Sequence, residues 1–313
     1  MLQAISSAHD PHHERRRKNS LVSLSAALLD GKTHLLLAAS GSAATVKLPL
    51  IVEALGSRHQ QRRRQQSDGS RSKDLSIRII LTPAATRFLA GQSADQPPVS
   101  ALLSLPCVDG VYVDADEWRE PWKRGDAVMH IELRRWAHLL AIAPLSADAM
   151  AKIVGGFADS LLTSVVRAWD PWSELDILPP SSSAATAASA STETQQPPRR
   201  RRKKRILVAC AVNIGHPVTT KHLRVLEEEW GVKPQPPIPT AHSDDASAAG
   251  PQKEAREGTG GEAEDEGDGW FEVLRPRPAD LAAPGAADVG GDGAMRDWRD
   301  VVAIIEDRLR LLE

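Results

Sequence analysis

The sequence predicts an α/β protein: a parallel β-sheet with helices on both faces, interrupted by two disordered inserts. Apolar strand-like segments alternate along the chain with segments of helical spacing. The strand-like segments are almost continuously apolar, which is typical of strands buried on both faces. At 313 residues, the chain is long enough for one or two domains with a substantial core. We therefore predict a disordered tail over 1–30 and a single domain over 31–313, with low-complexity inserts at 178–204 and 234–269.

Composition excludes several classes of protein. The 39 Lys and Arg residues are balanced by 41 Asp and Glu, so the net charge of −2 argues against a wholly basic nucleic-acid binder. Two cysteines, Cys107 and Cys210, are too few for a disulfide framework or a four-cysteine zinc site, and we expect no metal. No apolar run approaches the roughly 20 residues of a membrane span, and residues 1–20 lack a signal-peptide core. We expect a cytoplasmic protein, and the basic run 199–205 would also suit nuclear import.

The first part of the domain alternates strand and helix. Residues 33–40 are an apolar strand, a glycine turn follows, and residues 43–55 have helical spacing. Pro49 lies inside this helical stretch, so we expect a kink or an early helix end. Residues 57–74 are polar and basic, and we predict an enlarged loop there. A strand over Leu75–Leu81 and a helix come next.

The rest of the domain continues this alternation. The last helix is amphipathic, with apolar residues on one side at Trp298, Val301, Val302, Ile305, Leu309 and Leu312. The predicted order is a strand over Val108–Val113, a Trp-bearing polar loop over 114–126, a helix over 130–139, a strand over 139–146, one or two helices over 146–169, strands over 206–213 and 270–276, and a closing helix over 295–313.

Two small-residue turns follow predicted strands and are candidates for holding a phosphate. In the first, Gly41 lets the backbone come close to a ligand, and the following helix offers free N–H groups. The second runs from Ala143 to Ala149. In open parallel sheets, ligands bind at the carboxyl ends of strands, where both turns lie. A plain strand-to-helix turn remains the alternative, because the first turn matches neither a dinucleotide-binding nor a Walker motif.

Two polar residues stand where ligand-binding side chains are common. His130 begins a predicted helix, and a solvated or capping histidine is the alternative interpretation. Asn213 follows a predicted strand, and an ordinary turn residue is the alternative. The basic run 199–205 and the acidic run 262–268 are interpreted as solvated charge blocks, and we expect no nucleic-acid partner.

Residues 130–170 closely resemble the central segment of the phosphopantothenoylcysteine decarboxylases. This family of homo-oligomeric flavin-containing cysteine decarboxylases includes the fungal halotolerance proteins, and we take the chain for a fungal member. The resemblance covers most of the ordered chain, with further stretches at 35–55, 78–89, 118–126, 206–213, 216–219 and 293–298.

The resemblance implies a flavodoxin-like (Rossmann-type) doubly wound parallel sheet that assembles as trimers and binds FMN at subunit interfaces. It implies that His130 is the catalytic histidine and that Asn213 holds the substrate carboxylate. The implied reaction is FMN-dependent decarboxylation of 4′-phosphopantothenoylcysteine to 4′-phosphopantetheine in coenzyme A biosynthesis, with the electron chemistry carried by the flavin. The residues that match the family's FMN contacts are Gly41, Ser42, Ala43, Ala84, Ala85, Thr86, Ser146, Ala147, Asp148, Ala149 and Ala211.

Three departures separate the chain from the family pattern. The family's Ser-Ala-Asn-Thr motif is Ser146-Ala147-Asp148-Ala149 here, which replaces an amide by a carboxylate. Its Pro-x-Met-Asn motif is Cys210-Ala211-Val212-Asn213. In the family, a cysteine on a mobile flap donates a proton, whereas the matching residues 282–295 contain no cysteine, and Ala286 or a neighbour stands in its place.

The missing flap cysteine leaves two functions open. In the first, the chain is the decarboxylase, either as a homotrimer or as one subunit of a heterotrimer whose cysteine-bearing paralogue supplies the proton donor. In the second, it is a non-catalytic inhibitory subunit of a type-1-like Ser/Thr protein phosphatase, like some fungal relatives. The two are not exclusive. A co-purifying partner with the cysteine would favour the first, and no decarboxylation in any mixture would favour the second.

Overall fold

Six parallel strands form one sheet in the order β3-β2-β1-β4-β5-β6. The computed structural model describes residues 19–65, 73–175, 203–232, 269–277, 280 and 294–312. This strand order is the Rossmann one, and it reverses between β1 and β4. The predicted flavodoxin-like (Rossmann-type) doubly wound sheet is therefore confirmed. The strands are β1 (Thr33–Ala39), β2 (Leu75–Leu81), β3 (Val108–Val113), β4 (Leu139–Leu145), β5 (Arg205–Cys210) and β6 (Phe271–Leu274).

Helices connect the strands in the predicted alternation. Pro49 falls in the first turn of α2, where its missing N–H costs no hydrogen bond, so it does not end the helix. The described helices are α1 (Leu21–Ala26), α2 (Leu48–Gln65), α3 (Pro83–Thr86), α4 (Asp114–Glu117), α5 (Met129–Trp136), α6 (Ala147–Val154), α7 (Leu161–Arg167), α8 (Pro217–Arg224) and α9 (Trp298–Arg308), with 3₁₀ turns at Ala27–Leu29, Ala43–Lys47 and Val99–Ser104 and a π-helical turn at Val225–Glu229.

The sheet separates two apolar cores, because successive side chains of a strand point to opposite faces. On one face, Leu35 and Leu37 of β1 pack with apolar residues of α2 and α9. On the other face, Leu36 and Ala38 pack with residues of α1, α5, α6, α7 and α8. Every side chain of β1 after Thr33 is buried, as expected for a strand covered on both sides.

The enlarged loop predicted over 57–74 is wrong in its first half, because α2 continues to Gln65. The carboxylate of Glu306 in α9 is buried and pairs with both Arg58 and Arg62 of α2. These ion pairs join two helices that are far apart in the sequence. Composition alone indicates a loop because the apolar stripe ends well before the helix does.

The disordered tail predicted over 1–30 is wrong in its last part. Helix α1 lies against the sheet with Leu24 fully buried. Asn19 is 4% exposed, and its Oδ1 accepts from the N–H of Val111 in β3 at 3.0 Å. A helix of six residues is too short for its spacing to distinguish it from a tail. The residues before Asn19 lie outside the described part of the chain.

The predicted inserts lie almost wholly outside the described residues, as does the flap-like segment 282–295 up to residue 293. Lys204, the last residue of the first insert, packs against α5, where its Nζ donates to the carbonyls of Arg134 and Arg135 at 3.2 and 3.1 Å. The prediction that Leu312 belongs to the apolar face of the closing helix is wrong. The helix ends at Arg308, and Leu312 is 62% exposed.

Candidate functional site

Ser40 joins the ends of β1 and β4, the two strands between which the sheet order reverses. Its N–H and its hydroxyl both donate to the carbonyl of Pro144, each at 3.0 Å. The hydroxyl oxygen also accepts from the N–H of Ser146 at 2.7 Å. Ser40 is almost completely buried, so water does not compete for these bonds. They fix the two turns at the point where open α/β sheets bind ligands.

Gly41 brings the turn after β1 against the turn after β2. A Cβ atom at Gly41 would lie 2.3 Å from the Cβ of Ala84 and 3.3 Å from the Cα and the carbonyl carbon of Ala84. The glycine is therefore needed for packing between two turns predicted to contact FMN, in addition to any approach to a phosphate. Ser42 caps the 3₁₀ turn that includes Ala43, and its Oγ accepts from the N–H of Ala44 at 3.3 Å.

The turn after β2 is held by hydrogen bonds within itself. Thr82 Oγ1 accepts from the N–H of Ala85 at 3.3 Å, and Thr86 Oγ1 donates to the carbonyl of Pro83 at 2.8 Å. Ala85 is fully buried, whereas Ala84 is exposed just beyond the carboxyl end of β2. Of the three predicted contact residues in this turn, Ala84 is the one best placed to meet a ligand.

The turn after β4 begins α6. Ser146 is its N-cap, with Oγ accepting from the N–H of Ala149 at 3.3 Å. Ala147 and Asp148 are exposed in the first turn, whose N–H groups have no acceptor further up the helix. The Asp148 carboxylate pairs with Lys152 Nζ at 3.4 Å. The negative charge that distinguishes this chain from the family motif is thus partly balanced by the next turn of the same helix.

Two further carboxylates lie close to this turn. Asp159 pairs with Lys152 at 2.9 Å, and this hydrogen bond lowers the pKa of Asp159 and raises the pKa of Lys152. Asp114, which follows β3, accepts from the N–H of Leu161 at 3.1 Å. Burial raises the pKa of Asp114. The hydrogen bond between Asp114 and Leu161 joins the start of α4 to the start of α7.

The turn after β5 places Ala211 next to β4, and its N–H donates to the carbonyl of Leu145 at 2.9 Å. Cys210 is fully buried, and desolvation raises its pKa to about 12, so it is a core residue. Asn213 is exposed, and its Oδ1 accepts from the N–H of Gly215 at 2.9 Å. The turn interpretation of Asn213 is therefore correct for its carbonyl oxygen, and its role in substrate binding stays a prediction.

His130, in the first turn of α5, is held by a buried carboxylate. Its Nδ1 lies 2.5 Å from Oε1 of Glu117, and its backbone N–H donates to the same oxygen at 3.3 Å. The side chain of Glu117 is 3% exposed, and that of His130 is 22% exposed. The contact occupies Nδ1 and leaves Nε2 as the ring nitrogen available to a ligand. His130 is therefore not simply a solvated histidine.

The topology places His130 beside the carboxyl ends of the parallel strands, where the small-residue turns also lie. We call this side of the sheet its carboxyl edge and the opposite side, where the strands begin, its amino edge. Glu117 ends α4, which directly follows the carboxyl end of β3. The last residue of α5, Trp136, is at the opposite edge, where its carbonyl lies 2.9 Å from Nδ1 of His34 near the start of β1. The first turn of α5 is therefore at the carboxyl edge, together with Gly41, Ala84, Ser146, Ala211 and Asn213.

The amino edge of the sheet carries a separate cavity of about 410 Å³. Two of the cations around it are paired, Lys32 with Asp109 at 3.6 Å and Arg63 with Asp74. None of the predicted site residues lines it. In the described part of the chain, no three metal-ligating side chains are grouped, and no helix is both long and apolar enough to cross a membrane.

Sequence reasoning placed Ser40 in the first small-residue turn without giving it a role of its own, and it missed Glu117. Ser40 stands between an apolar strand and a glycine, which is where a strand-end hydroxyl can reach a neighbouring turn. Glu117 lies in the stretch 114–126, for which the sequence predicts a polar loop. A carboxylate just past the carboxyl end of a buried strand is the same signal that singles out Asn213 after β5.

These features define a doubly wound α/β protein whose candidate ligand site lies at the switch point between β1 and β4. A family model described as "Flavoprotein" matches residues 24–255. The match covers well over half of the chain, and the chain belongs to the Flavoprotein family. The resemblance inferred from the residues is confirmed.

Several relatives carry the decarboxylase name. A phosphopantothenoylcysteine decarboxylase of Arabidopsis thaliana is 38% identical over 148 residues, 47% of this chain and 58% of that protein. The phosphopantothenoylcysteine decarboxylase subunit SIS2 of Saccharomyces cerevisiae is 34% identical over 171 residues, 45% of this chain and 28% of that protein. The crystal structure of HAL3 from Cryptococcus neoformans has 28% identity and a TM-score of 0.51, covering 90% of this chain and 99% of that one. The chain spans between 20% and 60% of the length of the curated relatives that it matches.

Proposed function

We propose that the chain is an FMN-dependent decarboxylase of 4′-phosphopantothenoylcysteine, or a subunit of one, and produces 4′-phosphopantetheine for coenzyme A biosynthesis. The observation that carries the proposal is the meeting of all predicted cofactor turns with His130 and Asn213 at one edge of the sheet. Relatives with this activity in their names, such as the Arabidopsis thaliana protein, support it. The proposed location is the cytoplasm.

The carboxyl edge fits a flavin mononucleotide in two respects. Side chains at Gly41, Ala84, Ala147 and Ala211 are small or absent, which leaves room for a flat ring and for close approach of a phosphate to the backbone. The first turn of α6 offers N–H groups and the positive end of the helix dipole to the phosphate. When bound, the flavin supplies the electron chemistry. The residues of the chain bind it and orient the substrate.

His130 and Asn213 are the proposed substrate-contacting groups. The amide oxygen of Asn213 accepts from the N–H of Gly215, so its Nδ2 group is the part that can donate to a carboxylate. His130 has Nδ1 on Glu117, so its Nε2 is the atom that would hold or move a proton beside the substrate. Because the flavin supplies the electron chemistry, two roles are left to the protein: it holds the substrate carboxylate, and it holds or moves a proton.

We further propose that completing the cycle requires a cysteine-bearing partner in a trimer. The flap-like segment 282–295 contains no cysteine. Cys107 precedes β3 at the amino edge, and Cys210 is the last residue of β5 but is fully buried; desolvation raises the pKa of both thiols. Neither is a suitable proton donor at the carboxyl edge. The name of the yeast relative, a decarboxylase subunit, supports assembly with other chains.

The test starts with the visible spectrum of the purified chain, in which we expect flavin bands. Adding 4′-phosphopantothenoylcysteine should release CO₂ without sustained formation of 4′-phosphopantetheine, and His130→Gln should abolish the CO₂. A protein that cannot bind FMN would contradict the decarboxylase proposal. Multiple turnover by the chain alone would contradict only the partner proposal.

The missing cysteine also favours a second candidate, an inhibitory subunit of a type-1-like Ser/Thr protein phosphatase. This candidate needs no proton donor at the carboxyl edge. It predicts that the chain lowers phosphatase activity and that no mixture with a cysteine-bearing paralogue releases CO₂. Decarboxylation in such a mixture would instead identify the chain as a catalytic subunit.

A further inference from the structure

We propose that Glu117 is a positioning residue for His130: its buried carboxylate fixes the proton on Nδ1 and so presents Nε2 to the substrate. The consequence for catalysis rests on the proposed decarboxylase function. The geometry of the pair does not depend on that function. The contact joins the end of α4 to the first turn of α5 across 13 residues of sequence.

One oxygen of Glu117 receives both hydrogen bonds from His130. Oε1 lies 2.5 Å from Nδ1 and 3.3 Å from the backbone nitrogen of the same residue. An ionised carboxylate can only accept, so Nδ1 must carry the proton in this contact. In the neutral ring, the lone pair is then on Nε2. The second bond holds the carboxylate against the backbone, so the ring cannot turn without losing its partner.

Within the described part of the chain, Glu117 has no hydrogen-bond or ion-pair partner other than His130. Among the residues that the structure describes, no Lys or Arg pairs with it, and its side chain is 3% exposed. Burying a carboxylate without compensation is costly, so His130 is the group that offsets the cost. The adjacent Asp116 plays a different part, because it accepts from the N–H of Val113 at 2.9 Å and pairs with Arg119, which shapes the turn after β3.

A structural alternative exists, since Glu117 could serve only to cap α5. The N-cap residue Val128 has no side-chain acceptor, and the N–H of His130 donates to Glu117 instead. Capping alone would require the bond to the backbone nitrogen but not the bond to Nδ1. The test must therefore read out the state of the ring as well as stability.

Three variants separate these roles. Glu117→Gln keeps an acceptor, because the backbone N–H of His130 selects the orientation that presents the amide oxygen. Glu117→Leu has a similar size and no acceptor, and Glu117→Asp, one methylene shorter, replaces it if the leucine variant does not fold. Glu120→Gln is the matched control, because it removes a charge from an exposed residue of the same segment.

The ring is observed directly by NMR in protein labelled with ¹³C and ¹⁵N at histidine. The signal lost in His130→Gln assigns the residue among the ten histidines. At about pH 8.5, where an ordinary histidine is neutral, the wild type, Glu117→Gln and Glu120→Gln should all show the Nδ1–H tautomer. Glu117→Leu, or Glu117→Asp in its place, should lose it.

The kinetic readout is single-turnover CO₂ release by the FMN-loaded protein at saturating substrate. We expect Glu117→Gln to stay within about 10-fold of the wild type and Glu117→Leu to be about 100-fold slower, with half-saturation changed less than about 3-fold. Glu120→Gln should match the wild type.

An Nδ1–H tautomer or a wild-type rate in Glu117→Leu would overturn the proposal, as would an equal loss of rate in Glu120→Gln. The proposal about Glu117 and the proposed decarboxylase function can fail independently. If the wild type releases no CO₂, the proposed function fails, while the tautomer comparison still decides whether Glu117 positions the ring.

Discussion

The contact between Gly41 and Ala84 predicts that a methyl group at the first position damages the carboxyl edge and that removing a methyl group at the second repairs it. The perturbation is Gly41→Ala, tested alone and together with Ala84→Gly. Both residues lie in turns predicted to contact FMN, so the same pair reports on the packing of the edge and on its ability to hold the cofactor.

The magnitude follows from the distances. The new Cβ would lie 2.3 Å from the Cβ of Ala84, whereas carbon atoms prefer about 3.5–4.0 Å. The turns after β1 and β2 must therefore separate by about 1.2–1.7 Å, because alanine has no flexible end that could move aside. Overpacking of this kind costs about 1–3 kcal/mol. Ala84→Gly alone should cost about 0.5–1 kcal/mol through its effect on the short helix α3.

In the double variant, the nearest atoms of residue 84 would be 3.3 Å away, a contact that a small shift relieves. We therefore expect urea unfolding of the four proteins to show a favourable coupling of about 1–2 kcal/mol between the two substitutions. Strictly additive free energies, or a Gly41→Ala variant as stable as the wild type, would refute the packing argument. FMN retained after gel filtration is measured in parallel. Stability recovered without FMN would identify approach of residue 41 to the phosphate as a separate requirement.

Three more predictions concern stability and reactivity. Burial raises the pKa of Cys210 to about 12, so a thiol reagent at about pH 8 should reach it only after denaturation, and two rapid equivalents from folded protein would contradict this. Burial lowers the pKa of His59 below its ordinary value of 6.5, so the neutral form is favoured in the fold. Its contribution to stability is therefore present above that value and lost as the pH falls below it, and His59→Gln should make the acid-side fall in melting temperature shallower. Glu306→Gln should lower the free energy of unfolding in urea by about 1 kcal/mol through loss of its pairs with Arg58 and Arg62, and an unchanged value would show that α2 does not depend on them.

The strands can be predicted from the sequence because burial on both faces leaves a continuous apolar signal. The strand Leu75–Leu81 has the same bounds in the sequence prediction and in the structure, and all seven of its side chains are buried. The end of α2 cannot be predicted from the local sequence, because Arg62 near that end pairs with Glu306, a residue more than 240 positions away. Local composition around Arg62 records the charges but not the partner that orders them.

Prediction of the site from the sequence has the same limit, because contacts between distant residues are not visible in it. The turns at Gly41 and Ser146 and the histidine at position 130 follow from residue type and position. Ser40 and Glu117 do not, because their role lies entirely in contacts with Pro144, Ser146 and His130. A single sequence shows which groups can donate or accept a hydrogen bond, and only the fold shows which of them meet.

The pair of Glu117 and His130 also bears on the choice between a catalytic and a regulatory chain. A buried carboxylate whose partner is one partly exposed histidine is a poor source of stability, because desolvation offsets most of the attraction. Local arrangements that cost stability are expected where function requires them. An inhibitory surface has no need for an imidazole of fixed tautomer, whereas a decarboxylase site that moves a proton through Nε2 does. The arrangement therefore favours the proposed catalytic subunit, and since Cys107 lies at the amino edge and Cys210 is fully buried, it supports the proposal that a partner chain supplies the proton donor.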